Sequence, residues 1–343
     1  MKIDSFIKYQ IGNILKFGIF SFIIFLIMIQ FIIGKDFGVV RALFSFFYGI
    51  SLGILFEFTN NTRFYSLSFL LRNFIRLTYI LASFFLIIFV LKYFFSFFII
   101  TNSNLNISLT KDFFNTVVGV LIVTILIVLF IELEKHLGDY FIWNFLFSKY
   151  KKPFEEERVV MFLDLKDSTS ITETIGSDKF VELINLCYRI MSKPILKNKA
   201  TILKYVGDEV ILTWPIKKGI KNNNCVNFYF DFNDELEKHR NEFITKFKIF
   251  PVFKAGLHSG IVTAAFLGSI KKQMDYSGDV MNTTARIESI CNQYGANFLI
   301  SESIANKLQK SDNFFFKDLG EAHLKGKVNK TRIKEVLKLD LLS

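Results

Sequence analysis

Hydrophobicity is spread so unevenly along this 343-residue chain that no single soluble globule can satisfy it. Four long apolar runs lie in the first 131 residues: Phe17–Ile33, Ala42–Phe58, Leu77–Ile100 and Asn115–Ile131. Each has roughly the 17–25 residues that a helix needs to cross a hydrocarbon layer of about 30 Å. Their only internal charges are Glu57, near the end of the second run, and Lys92 in the third. A lone charge at such depth either snorkels, is buried between helices or has a role. Phenylalanine follows the same division, with 28 of its 43 residues before position 153 and 15 after. The first part is built for lipid and the second for water, so a disordered chain and a disulfide-stapled secreted domain are both excluded.

The net charge of +11 invites a nucleic-acid reading, but its placement argues for topology instead. Residues 1–152 carry 14 Lys+Arg against 7 Asp+Glu, and the remainder carries 28 against 24. Lys2, Lys8 and Lys16 precede the first run, and Arg63, Arg72 and Arg76 sit between the second and third. Lys135, Lys149, Lys151 and Lys152 follow the fourth, while the other two loops are poor in cations. By the positive-inside rule both termini are expected in the cytoplasm, in a multi-pass protein of the cell membrane. No small-residue cleavage site follows the first run, which argues against a signal peptide. The spans contain no histidine and so hold no bis-histidine haem. Cys187, Cys225 and Cys291 are too widely spaced for a zinc motif and read as reduced thiols.

The expected organisation is a four-helix transmembrane domain at 1–131, a juxtamembrane signalling helix or linker at 132–157, and a catalytic domain at 158–343. Pro153 ends the linker helix, since proline disfavours helix at the preceding residue. Beyond it, "RVVMFLDL" reads as a buried strand ending in Asp164. Helical periodicity follows over Ser177–Met191, then the hairpin "ATILKYVGDEVILTWP", whose turn carries Asp208. A polar stretch at Lys217–Asn224 precedes a helix-like segment at Asp234–Phe247. "VFKAGLHSGIVTAAFLG" reads as a second hairpin, and "QMDYSGDVMNTTARIESICNQYG" as a turn entering a helix. The order strand–helix–strand–strand–helix–strand is the α+β ferredoxin-like plan, in which the first strand neighbours the hairpin. Asp164 and Asp208 can then converge, and two hard carboxylates suit Mg²⁺ or Mn²⁺ on a phosphate substrate. Taken singly, aspartates at strand ends are ordinary turn formers.

Five blocks occur in order: "FLDLKDST", "LKYVGDEV", "GLHSGIV", "DYSGDVMNTTARIES" and "GEAHLKGK". Together they resemble the class III adenylate/guanylate cyclase catalytic domain over about Arg158–Leu339. The resemblance implies conversion of a nucleoside triphosphate to its 3′,5′-cyclic monophosphate and pyrophosphate, in a homodimer with its active sites at the interface. It implies two divalent cations held by Asp164, Asp208 and the Leu165 carbonyl. Lys204 matches a position that is Lys in adenylate cyclases of the family and Glu in guanylate cyclases, and Asp275 matches the acid that reads adenine. Asn282 and Arg286, four apart on one helix face, match the pair that orients the ribose and stabilises the α-phosphate. Lys325 matches the lysine on the distal phosphates. "KDST" departs from the bulkier continuation common after the first aspartate, and 217–249 is hard to align.

The expectation is a membrane-bound adenylate cyclase whose partners are ATP, membrane lipid and a second copy of the chain, with no nucleic acid. The signal sensed by the membrane part, a small molecule or a membrane partner, is not legible. A guanylate cyclase, or a receptor whose cyclase-like domain binds without turnover, is the alternative. A diguanylate cyclase fits less well, because Val206 and Val210 stand where its GGDEF turn has Gly and Phe.

Overall fold

The computed structural model describes residues 153–339 except 269–272, 312 and 328–329, together with scattered helical positions between 11 and 89. The chain divides into two compact units, Met1–Ile142 and Trp143–Ser343. Among the described residues no helix is long and apolar enough to cross a membrane. Glu57, Lys92, the fourth apolar run and the linker up to 152 lie outside the described residues.

In the first unit, 46–55 is helical, inside the second apolar run. Tyr48, Leu52 and Leu55 are buried, while Phe47 and Ile54 are exposed. A Cβ at Gly18 would meet Ile50 Cγ1 at 2.9 Å, so glycine lets that helix come close. Ser51 Oγ donates to the Tyr79 hydroxyl at 3.3 Å.

In the second unit, strand β1 runs Phe154–Leu165, four residues earlier than its apolar run suggested. Its first half alternates, with Glu155 and Glu157 exposed, and its second half is buried on both faces. That change of pattern marks where helices cover both sides of the sheet. Helices α1 (Ser168–Ile175) and α2 (Ser177–Lys197) follow. Leu183, Leu186, Cys187, Ile190 and Met191 form the buried stripe of α2. The hairpin is as read, β2 (Thr201–Val206) and β3 (Glu209–Pro215), with Gly207 at φ 65° in its turn.

The stretch read as polar loop instead forms a short helix α3 (Ile216–Ile220) and a 3₁₀ turn (Lys221–Asn223). The next helix starts ten residues before its expected position: α4 covers Asn224–Lys238 and α5 Arg240–Phe247, broken at His239. Cys225, Phe228 and Phe232 drive the early start, burying against Trp214 and Phe253 in the main core.

The second expected hairpin is a single 15-residue strand, β4 (Phe253–Leu267), whose antiparallel partner β5 is Gln273–Ser277. The glycines of "AGLHSG", inside that segment, serve close packing. Helix α6 (Asp279–Ser289) lies over them. A Cβ at Gly256 would meet the Thr284 carbonyl oxygen at 2.7 Å, and one at Gly260 would meet Val280 Cγ2 at 2.7 Å. Strand β6 (Phe298–Ser301), helix α7 (Glu302–Ala305) and strands β7 (Phe314–Ala322) and β8 (Thr331–Lys338) complete the unit.

The sheet order is β2-β3-β1-β4-β6-β8-β7, with β5 beside β4. Each of its first four strands runs antiparallel to its neighbour, in the ferredoxin-like order, and β6 extends it parallel to β4. Helices α2 and α4 pack on one face in the main core. On the other face Val280 and Met281 of α6 meet Val160, Phe162 and Ile211.

Candidate active site

Strand parity decides which side chains share the face beneath α6. On β1, Val160 and Phe162 point to it, so Asp164 does too. Asp164 pairs in register with Lys254 of β4. The turn between β2 and β3 brings Asp208 to the same end, because β3 lies beside β1 with Val210 opposite Leu163. Burial raises the Asp164 pKa most; the hydrogen bond from Lys254 opposes this, and the nearby Asp208 carboxylate reinforces it. Convergence of the two aspartates, expected from sequence, is therefore present. Tyr188 of α2 holds the turn, donating from its hydroxyl to the Gly207 carbonyl at 2.8 Å while its ring packs on Tyr205. Leu165 is buried at the end of β1 opposite Phe253.

Three charged residues here escaped the sequence reading. Lys254 Nζ lies 3.2 Å from Asp164 Oδ2 and 2.8 Å from Glu288 Oε1. Glu288 is buried near the end of α6, and burial raises its pKa against the pull of Lys254. Glu209 is pushed up to about 7, first by burial and then by Glu288, Asp164 and Asp208. Burial lowers the Lys254 pKa, but the Glu288 and Asp164 carboxylates together outweigh it and hold the ammonium above its ordinary range. A signal for Glu288 existed: it falls on the buried stripe of α6 with Met281 and Thr284, where a carboxylate demands a partner.

A second cluster lies where β2 and β5 approach. Lys204 and Asp275 are 71 residues apart in sequence, yet Lys204 Nζ donates to both Asp275 oxygens at 2.9 and 3.1 Å. The Asp275 Oδ1 also accepts from the Tyr276 backbone N–H at 2.9 Å, which fixes its orientation. Both side chains are about one quarter exposed, at 28% and 24%, so a ligand can reach them.

The third cluster runs along α6. Asn282 is exposed and Arg286 half-buried, one turn apart. Gly326, after β7, lies against Arg286: a Cβ there would stand 3.3 Å from Arg286 Nη2. Lys327 is tied to the start of α6 through Asp279 at 2.8 Å. The exposed Lys325 is thereby carried beside Arg286. All eight expected site residues thus fall into three groups: Asp164, Leu165 and Asp208; Lys204 and Asp275; and Asn282, Arg286 and Lys325.

As a donor set the aspartate pair fits a hard divalent cation, since it offers ionisable oxygens only. No group of three or more His, Cys, Asp or Glu among the described residues is arranged to hold a metal alone. The pair would leave the rest of a coordination shell to backbone, substrate or water oxygens.

Several known proteins are similar to this chain. Adenylate cyclase 2 of Rhizobium meliloti (strain 1021) is 31% identical over 207 residues, covering 60% of this chain and 57% of that protein. The adenylate cyclase of Anabaena cylindrica is 26% identical over 187 residues, covering 52% of this chain and 36% of that protein. The chain thus spans less than two thirds of the length of either relative. A solved bacterial light-regulated adenylyl cyclase shares the fold, with a TM-score of 0.55 at 20% identity over 68% of this chain and 66% of that one. Residues 150–337 match the adenylate and guanylate cyclase catalytic domain. With the antiparallel core and the paired aspartates beside β1 and β3, that match places the chain in the adenylate and guanylate cyclase family.

Proposed function

We propose that the protein is a membrane-bound adenylate cyclase, a lyase that converts ATP to 3′,5′-cyclic AMP and pyrophosphate at sites shared between two copies of the chain. The observation that carries this reading is the Lys204–Asp275 pair, a donor and an acceptor side by side at 2.9 Å. Adenine presents the complementary edge: Lys204 donates to N1 and Asp275 accepts from the N6 amino group. Guanine in the same pose would set its O6 against a carboxylate, a repulsive pair that disfavours it. The names of the related proteins support the same substrate.

In this reading Asp164, Asp208 and the Leu165 carbonyl would hold two Mg²⁺ or Mn²⁺ ions. When bound, such cations offset the charge of the triphosphate and of the attacking and leaving oxygens. Asn282 orients the ribose so that its 3′-hydroxyl faces the α-phosphorus. Arg286 stabilises the charge that builds on the α-phosphate oxygens, and Lys325 binds the distal phosphates, where pyrophosphate departs. One copy supplies the aspartates and the other the base-reading and phosphate-binding groups, so an isolated monomer is inactive.

The first unit is read as four membrane spans with both termini and the catalytic unit in the cytoplasm. Exposed Ile19, Phe85, Leu86 and Phe89, the last at 68% exposure, support a lipid-facing surface. Full-length protein in lipid with Mn²⁺ and ATP should yield cyclic AMP. A folded protein that binds ATP but forms no product would contradict the enzyme reading, and GTP turned over as fast as ATP would contradict the base assignment. Reporter fusions should place residue 105 outside and residue 150 inside.

A further inference from the structure

Around the aspartate pair, four carboxylates share one ammonium. The charges of Glu288, Asp164 and Asp208 all bear on Glu209, and Lys254 is the cation that offsets them there. The lysine is not placed midway. It stands 2.8 Å from Glu288 and 3.2 Å from Asp164, with only 13% of its side chain exposed. Glu288 is 8% exposed at its side chain, and among the described residues its Oε1 has no hydrogen-bond partner besides this ion pair. The close seat of α6 on Gly256 fixes the position of Glu288, whose backbone lies against that glycine. A buried carboxylate is costly, and nothing else in the catalytic chemistry proposed above uses this one.

We propose that Lys254 and Glu288 form a positioning pair: Lys254 is a resident cation that competes with the divalent metal for Asp164, and Glu288 limits that competition by drawing the ammonium away. This inference rests on the metal reading of Asp164 and Asp208 given above. The physical logic is electrostatic. A metal entering beside Asp164 meets the lysine charge within a few ångströms, in a region of reduced dielectric where like charges repel appreciably. Glu288 neutralises that charge from behind. Remove its charge and the ammonium falls wholly on Asp164, occupying the oxygen the metal needs. Remove both charges and the competitor is gone.

The test is a Mn²⁺ titration of the full-length, nucleotide-free protein, following the free-ion electron paramagnetic resonance signal. Glu288→Gln should weaken Mn²⁺ binding on the order of tenfold. The double variant Lys254→Met/Glu288→Gln should bind at least as tightly as the wild type, a rescue that a merely structural role for either residue does not produce. Asp164→Asn reports on the underlying reading: if it leaves Mn²⁺ binding unchanged, the metal site itself is wrong. If Asp164→Asn weakens binding but Glu288→Gln stays within twofold of wild type, the metal reading stands and the positioning pair is overturned. A double variant weaker than wild type overturns it as well. Should Glu288→Gln fail to fold, the double variant, which buries no unpaired charge, decides alone.

Discussion

Replacing Gly256 by alanine adds one methyl group where the structure has no room for it. The new Cβ would lie 2.7 Å from the Thr284 carbonyl oxygen and 2.8 Å from Glu288 Cα, about 0.7 Å short of ordinary contact. Both atoms are helix backbone and cannot rotate away, so α6 must lift from the sheet. Overpacking of this kind costs about 2 kcal/mol, which in a domain of this size lowers Tm by roughly 4–8 °C. Gly260→Ala is the internal comparison: its Cβ meets only the end of the Val280 side chain, and the loss should be smaller. Thermal melting of the full-length protein followed by tryptophan fluorescence reads both, because Trp214 is fully buried in the core of the second unit. The displacement also moves Asn282 and Arg286, so kcat should fall between about tenfold and a hundredfold even where the protein remains folded. A Gly256→Ala protein melting within 1 °C of wild type, or losing less than Gly260→Ala, would refute the close seating of α6.

Tyr188→Phe removes the hydrogen bond to the Gly207 carbonyl and should cost about 1 kcal/mol, with a larger effect on the Mn²⁺ concentration needed for activity than on KM for ATP. The folded Glu209 carboxyl, at about 7, holds a proton that the unfolded chain releases near its ordinary value of 4.5, so its contribution to stability is lost as pH rises through that window. Glu209→Gln in EDTA should therefore raise Tm at pH 8 and change it little at pH 5; equal shifts at both would count against the assignment. Lys204→Ala should lower the preference for ATP over GTP by roughly tenfold in parallel turnover assays. All three cysteines are buried, and burial raises each thiol above its ordinary range, so iodoacetamide should label none of them in the folded protein.

The ferredoxin-like core could be read from the chain because its strands differ in kind from its helices. "RVVMFLDL" and "ATILKYVGDEVILTWP" carry β-branched residues and a Gly-Asp turn, and α2 carries a 3.6-residue stripe. The segment expected to be a hairpin is one strand, β4, in which Gly256 and Gly260 admit a helix. The start of α4 was hidden because Asn222, Asn223 and Asn224 look like loop, although the aromatic stripe from Cys225 to Phe232 belongs to the core. In the site, paired aspartates and the Lys204–Asp275 pair followed from ordered motifs. Lys254 did not, because a lysine in a strand looks like solvated surface until the register places it against Asp164 and Glu288, and the only trace of Glu288 was its place on the buried stripe of α6. Of the net charge of +11, residues 1–152 carry +7 and the remainder +4.

The central claim, an ATP cyclase whose site is divided between two copies, is tested most directly by complementation. Asp208→Ala lacks one half-site and Arg286→Ala the other, so each alone should make almost no cyclic AMP from ATP. Co-expressed in equal amounts, random pairing leaves half the dimers mixed, each with one intact site of two. Cyclic AMP formation should then recover to about a quarter of the wild-type rate. Recovery absent from a mixture shown to contain mixed dimers, or either single variant retaining wild-type activity, would contradict the account.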